Sequence, residues 1–503
     1  MKRKGIMACL LVMLLLSACA EEEAGENQTT VEKNLPVVSL PEEKEEKEEK
    51  ETPLILAVGR NFSTTLPYYL NDEASLEVLP LIYDSLVTVD ETYHWQPDLA
   101  AEIQQDGLDY TIILQDAVFS DGSEVRASDI VNSMNYARAE GSAWAEELSI
   151  VADCVTLTAD KVRVTLTEPH QDFENLLTFP IIEEKNDGSW FGSGQYVLNS
   201  EKEGFLYLEL NPYAEGASTL ENIQLNVLSN TDTLYDNLRI GSISCLFDDL
   251  SSGEAMKLSR SSSAVEIGHL LFLGVNNEKG LMENAAVRRT VSGIIDRQLL
   301  VDRVYASKAT ETFTPFHPNY YRLQPDSKRN ISTEAAMQQL KDAGLVKNAE
   351  GYFGSEEQNE LKLIYNSDNV YRLQTAEMLQ QQLESISLKL ELVGLPYAEY
   401  METLDKGDFD LYLGELAIDE SMDISRLIEQ GEGYGYGSVE GNSVQQVYSS
   451  YQQGNAPLSL FVDVYQQNLP AIPLLYRQGL IIYEENVQVT VHSNPAEAFA
   501  EIS

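Results

Sequence analysis

The chain has 503 residues, 43% of them hydrophobic and 9% aromatic, with a formal charge of −47 and a pI near 4.3. That length accommodates two or three domains of roughly 100–200 residues each, and the composition is that of a globular protein with full cores. So acidic a chain counts against nucleic acid as a partner, because phosphate binding needs a basic face.

At the amino terminus Lys2, Arg3 and Lys4 precede an apolar run from Ile6 to Leu16. This run is shorter than the roughly 20 residues that span a bilayer, and it has the shape of a signal peptide, residues 1–18. The sequence Leu16-Ser17-Ala18-Cys19 resembles the bacterial lipobox. The resemblance implies cleavage before Cys19, lipidation of that residue, and anchoring to the outer face of the cell membrane (periplasmic where an outer membrane exists). An ordinary signal peptide with a chance cysteine is the competing reading. Residues 19–52 form an acidic linker with 12 Glu and 4 Lys and almost nothing to bury, so disorder is expected. The linker's −8 and the leader's +3 leave about −42 of the total −47 on the body from residue 53 onward.

The body opens with a strand, Leu54 to Val58, that runs into a polar, aromatic loop from Asn61 to Tyr69. Leu76, Leu79, Ile82, Tyr83 and Leu86 recur at helical spacing. Tyr110 to Leu114 reads as a strand, Phe119-Ser120-Asp121-Gly122 as a tight turn, and Ala127 as the start of a helix whose first turn carries Asp129. Cys154 and Cys245 lie in separate predicted strands, either paired in an oxidising compartment or two buried thiols. Later, Leu361 to Leu416 reads strand, helix, strand, helix, strand: an apolar run to Tyr365, a helix bearing Leu373, Ala376, Leu379, Leu383 and Ile386, the alternating Leu388 to Leu392, a short helix from Pro396 to Gly407, and Phe409 to Leu413. That order is the wiring of a parallel sheet with covering helices. Such sheets bind ligands beyond the carboxyl ends of their strands.

Several of these stretches, in order, resemble the extracytoplasmic solute-binding proteins of ABC importers, in the class that binds oligopeptides and dipeptides. The resemblance is carried by Leu81 to Leu86, Pro97 to Ala100, the Phe119–Gly122 turn with Asp129-Ile130, Gly192-Ser193-Gly194-Gln195-Tyr196, Leu270 to Asn276, Val287-Arg288-Arg289, Met337 to Gly344, and Ala471 to Leu474. It implies an α/β, two-lobed fold of the periplasmic-binding-protein type (type II) with an inserted subdomain and a ligand cleft between the lobes. Lobe I is expected at 53–75, 185–272 and 472–503, its subdomain at 76–184, and lobe II at 273–471. The lobes are expected to be joined near Leu273–Asn276 and Pro470–Leu474, as a hinge. Arg288 is expected to be a structural ion-pair partner.

The resemblance also implies the site. In the family an acid after the last strand of lobe II receives the peptide's amino group, since a charge-assisted bond is the stronger kind. Asp419 matches if one inserted residue is allowed, with Asp423 second; Glu415 stands where the family has tryptophan. Asn71 and Glu73 fall where the family contacts the extended ligand, and Tyr68 and Tyr69 either pack on it or belong to the core. Gly433 to Gly437, with Tyr436, reads as a loop at the cleft entrance or a surface turn. The implied function is capture of a peptide or other small solute by a monomer that delivers it to membrane permease subunits. A pheromone receptor or a binder of sugars or metal chelates on the same fold are the alternatives. An extracellular hydrolase is the rival of another class, but the chain has no Gly-x-Ser-x-Gly, His-Glu-x-x-His or Cys-x-x-Cys pattern. His94, His170, His269, His317 and His492 are scattered, so no metal or other cofactor is expected.

Overall fold

The computed structural model describes residues 54–202, 205–214, 220–230, 233–251, 261–324, 330–429, 434–439 and 441–484. The signal peptide, Cys19, the acidic linker and Gly433 lie outside the described residues.

Two long antiparallel strands, Ser261–Val275 and Ala471–Tyr483, form the spine of the body. Their outer halves pair with each other and with Cys245–Asp248. Their inner halves extend into a sheet with Leu411–Ala417. The pairing slips between Glu266 and His269, where Gly268 takes a φ of +66°. Glycine is required there, because a Cβ would lie 2.5 Å from the Ile418 carbonyl oxygen. A bulge bends and twists the ribbon, and the packing changes across it. Val265 and Ile481 belong to the core of Leu56, Val58 and Leu225, while Leu270 to Phe272 and Leu474 to Tyr476 belong to that of Leu363, Leu390 and Leu413. The passage from one core to the other therefore runs through Gly268 and Arg477. The expected crossings, Leu273–Asn276 and Pro470–Leu474, sit instead within the buried run of the second core, since apolar residues continue to the bulge.

That second core is the predicted parallel unit. Glu360–Asn366 lies between Lys389–Leu395 and Leu411–Ala417 and runs parallel to both. Helices Val370–Ser385 and Tyr397–Asp405 cover it. The first helix is started by Asn369, whose side chain accepts from the Tyr371 amide at 2.9 Å. Among the described residues Arg288, on the helix Ala285–Ile294, makes no ion pair: it donates to the carbonyls of Met282, Glu283 and Asn468.

The first core carries a sheet in which Leu54–Gly59 runs parallel to Asn222–Leu228, followed by Phe205–Leu210 and Tyr196–Lys202. The intervening chain builds a four-stranded antiparallel sheet with its own core, packed on the helix Ala127–Ala137. The continuous helix suggested by Leu76 to Leu86 is absent. Only Glu73–Leu76 is α-helical, followed by a 3-10 turn at Leu79–Leu81, because Pro80 has no amide to continue the ladder. Cys154 and Cys245 are both buried free thiols. Among the described residues no helix is long and apolar enough to cross a membrane.

Candidate functional site

The carboxyl end of Leu411–Ala417 is where the fold places the predicted acids. The chain leaves the strand through two successive Asp-x-Ser turns. Asp419 accepts from the Ser421 amide at 2.9 Å, and Asp423 from the Ser425 amide at 3.0 Å and the Tyr448 hydroxyl at 2.7 Å. An aspartate that bonds its own backbone two residues on is a local turn device, and here it fixes where both carboxylates point. The subdomain faces them. Its His170, buried, sets Nε2 3.9 Å from Asp423 Oδ2, and its Asn175 donates at 2.7 Å to the Glu420 carbonyl and at 2.8 Å to that of Tyr93.

Four carboxyls converge across this junction: Asp419, Glu420 and Asp423 from one side and Glu147 from the other. Burial, then the charge of Asp423, raises Asp419 above the ordinary range. Burial and the Asp419 charge push Glu420 up to about 7. Burial, then the charges of Glu420 and Asp419, holds Glu147 well above its usual value. Like charges brought this close retain protons until a cation neutralises them. The arrangement suits an ammonium group.

A second pole lies at the end of the first core's parallel strands. Burial and the charges of Asp249 and Asp248 push Glu73 up to about 7. Asn71 is exposed and lines a polar cavity with Tyr69, Gly59 and Leu228. Tyr68, next to Tyr69, is fully buried, stacks on Tyr136 at 5.6 Å and donates its hydroxyl to the Pro180 carbonyl. Its apolar ring completes the subdomain core.

Glu415 sits in a cluster of cations. Its carboxylate is enclosed by His269 Nδ1 at 2.8 Å, Arg477 Nη2 at 2.5 Å and the Arg372 guanidinium. Burial pushes its pKa up, but Arg372, His269 and Arg477 outweigh that and hold it well below the carboxylate range. Tyr436 is half-buried and packs edge-on against Tyr412, ring centroids 5.9 Å apart, which makes it part of the second core's aromatic cluster rather than a free rim side chain.

Sequence reading missed Glu147, His170, Arg372 and Arg477. The last had a visible signal, a lone cation within the otherwise apolar run from Ala471 to Tyr483. His170 and Glu147 had none, because their importance comes from facing a segment some 250 or more positions away. Among the described residues no group of three or more His, Cys, Asp or Glu side chains is arranged to hold a metal ion.

Two α/β cores joined by two strands, with titratable groups facing each other across the junction, define a two-lobed solute-binding protein. A family model described as bacterial extracellular solute-binding proteins, family 5 (middle), matches residues 94–436. The chain belongs to this family, the family 5 solute-binding proteins of ABC importers. The oligopeptide-binding protein AppA of Bacillus subtilis is 23% identical over 389 residues, covering 71% of this chain and 72% of that protein. The glutathione-binding protein GsiB of Salmonella typhi is 23% identical over 370 residues, covering 68% and 69%. Among solved structures, a nickel ABC transporter protein from Bacillus halodurans superposes with a TM-score of 0.71 at 20% identity, covering 86% of this chain and 95% of that one. AppA of Bacillus subtilis in complex with a nonapeptide gives 0.57 at 19%, covering 90% and 99%. These relatives are transport binding proteins, not enzymes.

Proposed function

We propose that this chain captures peptides outside the cell and hands them to the permease of an ABC importer. One observation carries the reading: the carboxyls of Asp419, Glu420 and Glu147 meet at the end of Leu411–Ala417, each raised first by burial and then by the charge of its neighbours. That is the electrostatic signature of a seat for a positive group, and a peptide's amino terminus is such a group. The AppA relative, an oligopeptide-binding protein, supports peptide as the class. In this reading Asp419 and Asp423 receive the amino end, and Glu73 and Asn71 contact the extended ligand from the other lobe. Cys19 carries the lipid anchor, and the protein acts as a monomer.

The test is native mass spectrometry of protein purified from its own host, joined to titration of Asp419→Asn. Co-purifying peptides that the variant binds at least about tenfold more weakly are expected, the worth of one charge-assisted bond. A single sugar or metal chelate in the cleft, or unchanged peptide affinity in the variant, rejects the assignment.

A further inference from the structure

The parallel strands Leu54–Gly59 and Asn222–Leu228 end side by side, with Gly59 opposite Leu228. Directly beyond those ends lies a cavity of about 270 Å³. Crevices of this kind, outside the carboxyl ends of parallel strands, are where α/β sheets take ligands. Its walls are polar. Arg60, Asn61, Thr65, Tyr69 and Asn71 all line it. Among the described residues none of these five side chains donates a hydrogen bond to, or ion-pairs with, another part of the protein. The loop's own backbone is satisfied instead: the amides of Thr64 and Thr65 donate to the Asn61 carbonyl, and that of Phe62 to Gly59. Apart from the Thr64 hydroxyl, which donates to the Asn61 carbonyl at 3.3 Å, the loop is wound by its backbone, which leaves the donors of those five side chains for a guest.

Arg60 is the only cation in the lining, and Asp72 the only anion. Asp72 is partly committed, since its Oδ1 accepts from the Ser75 amide at 3.0 Å. No ion pair joins it to Arg60 within 4.0 Å among the described residues. Arg60 is exposed, so its guanidinium is open to a ligand from solvent. The planar guanidinium is the side chain that matches a carboxylate with two parallel bonds, and amide and hydroxyl donors beside it complete an anion's shell.

We propose that this cavity seats a carboxylate of the bound ligand, with Arg60 as its charge partner and Asn61 and Asn71 as supporting donors. Resting on the peptide reading above, it specifies a zwitterionic ligand, held at its positive end by the acid cluster and at a negative group by Arg60.

The experiment uses two readouts on the full chain and on Arg60→Gln and Arg60→Lys, all of which keep an exposed position polar. The first is calorimetric titration with a mixture of tri- to pentapeptides bearing free carboxyl termini, against the same mixture amidated. Amidation is expected to weaken binding to the natural protein about tenfold, to make no difference to Arg60→Gln, and to have an intermediate effect on Arg60→Lys. The second is fluorine NMR of trifluoroacetate, a bare carboxylate, whose line broadening by the protein is expected to fall on losing Arg60. If the natural protein binds neither peptide mixture, the peptide reading fails and the trifluoroacetate result alone decides the cavity. A change in either readout on losing Arg60 supports the site; identical behaviour of the natural protein and Arg60→Gln in both overturns it.

Discussion

Arg477 Nη2 lies 2.5 Å from Glu415 Oε1, and the same guanidinium donates to the main-chain carbonyl of Asp249. One side chain thus ties the first core's strand end to the second core's last parallel strand, at the place where the ribbon passes between them. Glu415 also holds His269 and Arg372, so removing its charge would leave two buried guanidinium groups facing each other. Breaking a buried pair by deleting one partner costs about 3–5 kcal/mol. Glu415→Gln is therefore expected to lower the unfolding free energy by about that amount, read from urea denaturation at neutral pH. A loss below about 1 kcal/mol would place this cluster among ion pairs that contribute little.

Asp172 makes the other tie across the junction. Buried and in the left-handed backbone region at φ 56°, it accepts from Tyr320 at 2.5 Å, Tyr321 at 2.6 Å and Arg322 at 2.6 Å. Burial raises its pKa, but the bonds from Arg322, Tyr320 and Tyr321 overcome that and leave it below the ordinary value. A carboxyl depressed in the folded state contributes stability above its unfolded pKa and loses it as pH falls through the folded one. Asp172→Asn should thus cost about 2–3 kcal/mol at pH 7 and less near pH 3, below the unfolded carboxyl's pKa. Urea midpoints at the two pH values measure this; an equal penalty at both would show that the charge is not what holds the contact.

The parallel unit from Glu360 to Ala417 was legible because its apolar periodicity and its packing agree: alternating Leu388–Leu392 became a strand, and Leu379 and Leu383 point into the core of the covering helix. The Asp-x-Ser spacing at Asp419 and Asp423 was visible in the sequence and explains locally why they turn as they do. The partners of Glu415 were not legible, because no local pattern announces side chains arriving from residues 269, 372 and 477. The hinge was displaced for a similar reason. Buried residues continue on both sides of the bulge, so hydropathy alone does not mark it, and Gly268 is a single residue among many glycines until its closeness to Ile418 is seen.

The acid cluster predicts an inverted pH dependence for the ligand-free protein. Glu420, at about 7, binds protons more tightly folded than unfolded, so stability declines as pH rises from the ordinary carboxylate value toward 7. A ligand ammonium removes that penalty and displaces the protons. With a tripeptide bearing a free amino terminus, the ligand-induced gain in Tm is expected to grow between pH 5 and pH 8. Calorimetry in buffers of different ionisation heat should register proton release in the same window. A Tm gain flat across this range would show that the carboxyls are already ionised, or that the ligand avoids them.

Gly268 links the bulge to the acid cluster, and that link separates two effects of one substitution. Its carbonyl accepts from the Ile418 amide at 3.0 Å, the residue before Asp419, while a Cβ on Gly268 would meet the Ile418 carbonyl oxygen at 2.5 Å. Gly107 offers a matched control: its φ is +65°, but a Cβ there meets nothing within 4 Å. Alanine at either position incurs the left-handed strain of about 1–2 kcal/mol; at Gly268 it must also push the Ile418 backbone, and with it Asp419. Gly268→Ala is expected to lose more stability than Gly107→Ala and, unlike the control, to weaken peptide binding several-fold. Denaturation and titration of the two variants side by side check this. Equal affinity in both would mean that the bulge does not set the position of Asp419.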